Sequence, residues 1–243
     1  SYIWQKPIIP VNHLIGHIYA NFVCEKSKIK NQKSKIEFPA IALVVSGGHT
    51  DLVLMKDHKN IKWLGGTRDD AAGEAFDKIG RLLNLSYPGG PSIEKAAKAG
   101  NLKAFKFPRP MIGSDDFDFS FSGLKTAVLR DVTKLDKIDG KNVADISLAV
   151  EEAIVDVLIY KTLKAAKKYN AKSILLGGGV AANQKLRDEF KSSIINRKSP
   201  IKLFVPSKSL CTDNAAMIAS AAFYNYKPVP WQKVTANPEL YFY

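Results

Sequence analysis

Cysteine is nearly absent from the 243 residues, with only Cys24 and Cys211, and they lack C-x-x-C spacing. Two such residues cannot build a disulfide scaffold, which favours a reducing compartment. Long apolar runs are also missing. No uninterrupted stretch reaches membrane-spanning length, so no membrane partner is expected and the chain reads as soluble. Arginine is scarce too: Arg68, Arg81, Arg109, Arg130, Arg187 and Arg197 are the only six among 36 basic residues. Against 23 acidic residues the formal charge is 36 − 23 = +13. A surplus of that size suits a polyanionic partner such as RNA, DNA or an anionic membrane face. Genomic base composition could equally produce a lysine-dominated excess, and no basic cluster is read as interleaved with aromatics in the manner of a base-stacking surface. Disorder is excluded, because a chain that is 46% hydrophobic and 24% charged can bury a substantial core.

Short apolar segments alternate with helical spacing, which points to α/β architecture. Lys6 to Val11, bounded by prolines, is expected as a strand, and the lysine-rich Lys26 to Lys35 as a solvated loop. Ala40 to Lys56, AIALVVSGGHTDLVLMK, predicts two strands around a glycine turn, Ser46 to His49. That is not the strand-to-helix junction of a dinucleotide fold. Glycines in such a turn admit a ligand close to the backbone, and its amides can cradle an anion, although an ordinary hairpin also wants Gly-Gly. Asp69 to Leu85 has helical spacing with acidic residues early, where the helix dipole favours them. YPGGPSIEK opens another helix at a tight loop, FDFSFSGLKTAVLR leads into one at Gly123, and Val143 to Tyr169 forms a long amphipathic helix. SILLGGGVAANQKLRDEF is then a buried strand, a glycine loop and a helix, a junction that binds nucleotides in α/β sheets. After a further strand, a loop holding Cys211, Thr212 and Asp213 precedes a small-residue helix.

Only four histidines occur, and two of them stand four apart in HLIGH, His13 and His17. On a helix these share a face and can direct ring nitrogens at one metal ion. A zinc protease of the H-E-x-x-H type needs a glutamate after the first histidine, and Leu14 occupies that position. A third ligand must come from elsewhere. Asp213 is the candidate, completing a two-imidazole, one-carboxylate set suited to zinc or ferrous iron. Cys211 is the competing donor, more simply read as a small buried side chain. His49 is read as a residue that orders the glycine turn or touches a ligand.

HLIGH, VVSGGHT, RDDAAGEAFDK, YPGGP, FDFSFSGLKTA, GGGVAAN and CTDNAAMIA occur in that order. Over nearly its whole length the chain resembles the TsaD/Gcp family, tRNA N6-adenosine threonylcarbamoyltransferases of bacterial or organellar type. The resemblance implies an actin-like ATPase fold, related to sugar kinases and Hsp70, with two lobes around a nucleotide cleft. Residues 1–40 would then be a remnant of the first lobe carrying the metal helix, 41–213 the second lobe, and 214–243 a C-terminal helix returning to the first. It makes His13, His17 and Asp213 ligands of one divalent ion, Fe2+ or Zn2+. Val44, Val45, Ser46, Gly47, Gly48, Asp77, Gly90 and Asn183 become substrate-binding positions, with Glu94 at the ligand's ribose; no nucleophile or other catalytic side chain is assigned. The implied reaction passes the threonylcarbamoyl group from threonylcarbamoyl-AMP to N6 of the tRNA adenosine 3′ of the anticodon, in tRNAs reading ANN codons, and leaves AMP in the cleft. Implied partners are tRNA, a TsaB-like paralogous subunit and a TsaE-like ATPase. The implied location is the bacterial cytoplasm, or alternatively a mitochondrion or other organelle.

One departure stands out. Nothing matches the family's opening G-I-E-T-S-C-D-E-T strand and turn, so the first lobe is expected to be incomplete. Competing readings are a small-molecule phosphotransferase of the actin-like superfamily, which has no use for the His13, His17 and Asp213 set, and a non-catalytic partner subunit, which would lack it.

Overall fold

A computed structural model describes residues 3–23, 35–237 and 240–242. At its centre lies a mixed sheet of five strands, β1 (Ala40–Val45), β2 (Thr50–Met55), β3 (Ile61–Gly66), β4 (Ser173–Gly177) and β5 (Lys202–Phe204), in the order β3-β2-β1-β4-β5. β1 runs antiparallel to β2, pairing Val45 with Thr50, so residues 46–49 form the hairpin turn. β1 and β4 are parallel, as are β4 and β5, and their crossover connections carry helices.

Both faces of the sheet are covered, and period-two alternation assigns each side chain to one of them. Ile41, Leu43, Val45, Leu52 and Leu54 point into the larger core. It is closed by α2 (Ala72–Leu82), α3 (Gly89–Ala97), α4 (Ser122–Val132), α5 (Gly140–Lys168) and α6 (Gln184–Asn196). Phe76, Phe119, Phe121 and Phe190 are fully buried there, each contributing about 1.5–3 kcal/mol. Ala40, Ala42, Val44, Val53 and Met55 face the other way, onto α1 (His13–Tyr19) and α8 (Ala215–Tyr224). The short α7 (Lys208–Cys211) precedes α8. Among the described residues no helix is long and apolar enough to cross a membrane.

The expected strand at Lys6 to Val11 reduces to one bridge, Ile8 to Val229. Pro7 and Pro10 have no N–H to extend a ladder. In the other direction, the sequence reading passed over β3, which lies at the sheet edge with its burial concentrated at Gly65 and Gly66. The lysine-rich stretch expected as a loop lies outside the described residues except for Lys35, and so does Cys24.

Candidate metal and nucleotide site

Asn12 starts α1 by accepting a hydrogen bond from the Ile15 amide at 3.1 Å, and its own amide donates to the Tyr241 carbonyl at 2.6 Å. One turn on, a Cβ at Gly16 would meet Ile218 Cδ1 at 2.8 Å, so glycine is what lets α1 lie against α8. α8 begins at Asn214, which accepts from the Met217 amide at 2.9 Å and donates to the Thr212 carbonyl at 2.8 Å. Asn214 thus holds the loop carrying Asp213 to the start of α8, and the packing of α1 on α8 at Gly16 sets that loop against the helix carrying the histidines.

The result is a cluster. Asp213 Oδ1 lies 3.4 Å from His13 Nε2 and 3.3 Å from His17 Nε2. One donor atom from each residue falls within 4.8 Å of the others, and this is the only such group of three among the described residues. Two imidazoles and a carboxylate suit zinc or ferrous iron and leave coordination positions free, so the donors fit the ion expected there. His17 is buried, its Nδ1 has no partner among the described residues, and its Nε2 faces Asp213. Burial, reinforced by the neighbouring His13, holds it below the usual histidine pKa and outweighs the raising effect of Asp213. A neutral imidazole is the form that binds a metal. Cys211 takes no part. It is buried under α6, where Arg187 donates to its Sγ at 3.1 Å and burial pushes the thiol pKa up.

Beside this corner lie the C-terminal ends of β1 and β4. The turn after β1 closes on itself, with the Ser46 amide donating to the His49 carbonyl at 2.8 Å and the His49 amide to Ser46 Oγ at 3.2 Å. Gly47 and Gly48 stand exposed, with nothing within 4 Å of where a Cβ would be, while Val44 and Val45 are buried. After β4 the chain turns at Gly178, whose φ of +88° and contact with the Val45 carbonyl admit no side chain.

The remaining expected positions are engaged within the protein. Asp77 Oδ1 accepts from the Gly89 amide at 2.7 Å and so caps α3 from a neighbouring helix. Glu94 accepts from the Gln184 amide at 3.0 Å at the start of α6. Asn183 caps the same helix through the Leu186 amide at 2.8 Å and donates to Glu151 at 2.7 Å. Gly90 has nothing within 4 Å of a virtual Cβ. Carboxylate and amide side chains thus order the starts of both α3 and α6, and Glu94 ties the middle of α3 to the start of α6.

Two elements escaped the sequence reading. Glu151 is buried on α5, and burial pushes its pKa up. A carboxylate inside the apolar run AVEEAIVDVL was its signal. Asp51 is buried on β2, where Trp63 Nε1 donates to its Oδ1 at 3.0 Å and the Tyr241 hydroxyl donates to the same oxygen. Its Oδ2 lies 3.6 Å from His49 Nδ1, which orients that imidazole at the edge of the glycine turn. An aspartate opening an otherwise apolar strand, TDLVLM, was the sign available.

A family model described as TsaD: tRNA N6-adenosine threonylcarbamoyltransferase matches residues 1–220. Proteins named tRNA N6-adenosine threonylcarbamoyltransferase are similar over most of the chain. That of Syntrophomonas wolfei subsp. wolfei is 50% identical over 226 residues, covering 93% of this chain, and that of Moorella thermoacetica is 48% identical over 227 residues, also covering 93%. The chain spans 64% of the length of each. Among solved structures, full-length HypF in its phosphate- and nucleotide-bound form aligns with a TM-score of 0.64 at 12% identity, covering 89% of this chain and 42% of that one. At that identity the likeness concerns the fold alone, and with the mixed sheet it fits an α/β fold of the actin-like ATPase type.

Proposed function

The chain belongs to the TsaD family of tRNA N6-adenosine threonylcarbamoyltransferases, and from that premise we propose that it supplies the metal corner and the nucleotide side of a threonylcarbamoyl-transfer site. The acceptor is N6 of the adenosine 3′ of the tRNA anticodon, the donor threonylcarbamoyl-AMP, and the product left in the cleft AMP. The observation that carries this reading is the convergence of His13, His17 and Asp213 beside the glycine turn.

His13, His17 and Asp213 would hold Fe2+ or Zn2+, which when bound supplies Lewis-acid polarisation of an acyl oxygen. The protein's own groups do the rest. Within Val44 to Gly48, Val44 and Val45 anchor the turn in β1 while Gly47 and Gly48 present open backbone, where amides stabilise phosphate and developing negative charge. Asp77, Glu94 and Asn183 act by keeping the starts of α3 and α6 in place, and Gly90 leaves the surface there open to the nucleotide. Helix N-termini favour the negative charge such a ligand carries. His49, oriented by Asp51, stands at the rim of the same turn, where a substrate would pass.

The two-lobed form, the TsaB-like subunit and TsaE-like ATPase as partners, and a bacterial cytoplasmic setting belong to the same proposal. The phosphotransferase alternative draws no support from the site, since it has no use for a His-His-Asp cluster. The test is to incubate the chain, metal-loaded and with the candidate partner subunits, with threonylcarbamoyl-AMP and an unmodified tRNA transcript, then digest the tRNA and weigh its nucleosides. His13→Ala is expected to lose both bound metal and modified adenosine. Full transfer by a metal-free His13→Ala protein would refute the proposal.

A further inference from the structure

The run Lys103-Ala-Phe-Lys-Phe-Pro-Arg109 interleaves cations with aromatics, the pattern that the composition had not disclosed. It is stretched over α5 between two pins. At one end the Asn101 amide donates to Asp145 at 2.7 Å; at the other Arg109 Nε donates to Asp156 at 2.9 Å and its Nη1 to the Phe107 carbonyl. Asp145 and Asp156 are eleven residues apart on the helix, about 16 Å of its axis. Between the pins the segment and α5 enclose a groove of about 710 Å3 floored by Ala149 and Glu152. That volume lies within the roughly 300–1,000 Å3 typical of ligand pockets.

Its chemistry is specific. Phe107 is buried, and half-buried Phe105 lies parallel to it, with planes 10° apart and centroids 6.1 Å apart, leaving part of the Phe105 ring open to the groove. Lys103 and Lys106 are exposed, and neither ammonium has an ion-pair partner among the described residues. The carboxylates nearby are already neutralised, Glu152 by Lys185 at 2.5 Å and Asp156 by Arg109 at 2.8 Å. The groove thus offers uncompensated positive charge beside an aromatic face, on a chain of net charge +13. The helix beneath it also reaches the proposed site, because Glu151, next to Glu152 on α5, holds Asn183 at the start of α6.

We propose that this groove binds a single-stranded segment of RNA, with Phe105 stacking on a base and Lys103 and Lys106 contacting phosphates. The inference rests on the transferase reading for why RNA approaches this face, but its readout needs neither metal nor adenylate. The experiment is fluorescence anisotropy of a short labelled single-stranded RNA of mixed sequence, titrated with the whole chain between about 50 and 200 mM salt. Lys103→Gln with Lys106→Gln should weaken binding about tenfold and flatten the slope of log K against log salt by about 1.4, two phosphates at roughly 0.7 each. Phe105→Ala should also cost about tenfold, with the slope unchanged, and Phe105→Leu should cost nearly as much although it keeps the apolar volume. Lys59→Gln with Lys62→Gln, an equal change of charge on the β2–β3 hairpin, should change little, and melting curves report whether each variant folds. The proposal fails if the wild-type chain does not bind the RNA, if the hairpin control loses as much as the groove variant, if Phe105→Leu binds normally, or if AMP alone displaces the RNA. A chain that binds RNA through the groove yet transfers nothing would refute the reaction and leave the groove standing.

Discussion

The two corners of the proposed site are built in opposite ways. At the metal corner His13 and Asp213 are exposed, His17 keeps a buried nitrogen without a partner among the described residues, and the three donor atoms face one another. At the nucleotide corner Asp77, Glu94 and Asn183 already bond to backbone amides, and Glu151 supports Asn183 from below. One corner is a set of donors that face a common point, whereas the side chains of the other are already bonded within the protein. Stability should therefore depend on the nucleotide corner at all times, and on the metal corner only when the ion is present.

The largest effect expected from this contrast is at Asn183. Asn183→Ala removes the α6 cap, worth about 1 kcal/mol, and leaves Glu151 buried without its donor, about 1–3 kcal/mol more. Urea unfolding at neutral pH should show a loss of roughly 2–4 kcal/mol; a loss below about 0.5 kcal/mol would mean that the corner is not held in this way.

At the metal corner the same measurement should behave differently. Zinc at a hundredfold excess over its Kd should stabilise the wild-type chain by about 2.7 kcal/mol. Asp213→Asn should abolish that gain while changing the stability of the metal-free chain by no more than about 0.5 kcal/mol, because Asp213 is exposed. A metal response that survives in Asp213→Asn would move the ligand set elsewhere.

A smaller contrast is in pH. Burial raises the Glu151 pKa above its ordinary value of 4.5, so the folded state holds that proton more tightly than the unfolded state does. The cost of ionising it is present above the raised pKa and disappears as pH falls to the ordinary value. The wild-type chain should therefore gain stability relative to Glu151→Gln on acidification from neutral pH toward 4.5. A stability difference that is flat across that window would place the charge elsewhere.

The smallest change belongs to Glu94. Glu94→Gln keeps a carbonyl oxygen for the Gln184 amide, so thermal unfolding should register less than about 0.5 kcal/mol. A loss above about 1 kcal/mol would mean that the carboxylate's charge, and not only its oxygen, holds α6.

Much of this was legible along the chain. The β1–β2 hairpin was readable because each strand is a short apolar run on either side of Ser46 to His49, and α5 because its apolar residues recur at helical spacing. His13 and His17 were readable because one helical turn is enough to put them on one face. β3 was missed because edge strands carry mixed polarity, and the Lys6 to Val11 strand was overestimated because prolines at its edges withhold ladder donors. The interleaved run at Lys103 to Arg109 was passed over because its meaning depends on α5 lying beneath it.

What the sequence determined by itself is therefore local: helices and strands set by periodicity, the glycine turn, the spacing of two histidines, and motifs characteristic enough to resemble a family. Tertiary structure alone decided that Asp213, 200 residues after His13, meets it at 3.4 Å, that Asp77 spends its carboxylate capping α3, and that Asp51 and Glu151 stand behind His49 and Asn183. The physical reason is that periodicity acts over one or two turns of chain. The partner of a buried charge or a metal donor is chosen by packing, which in this molecule brings α1 and α8 together at Gly16 from opposite ends of the sequence.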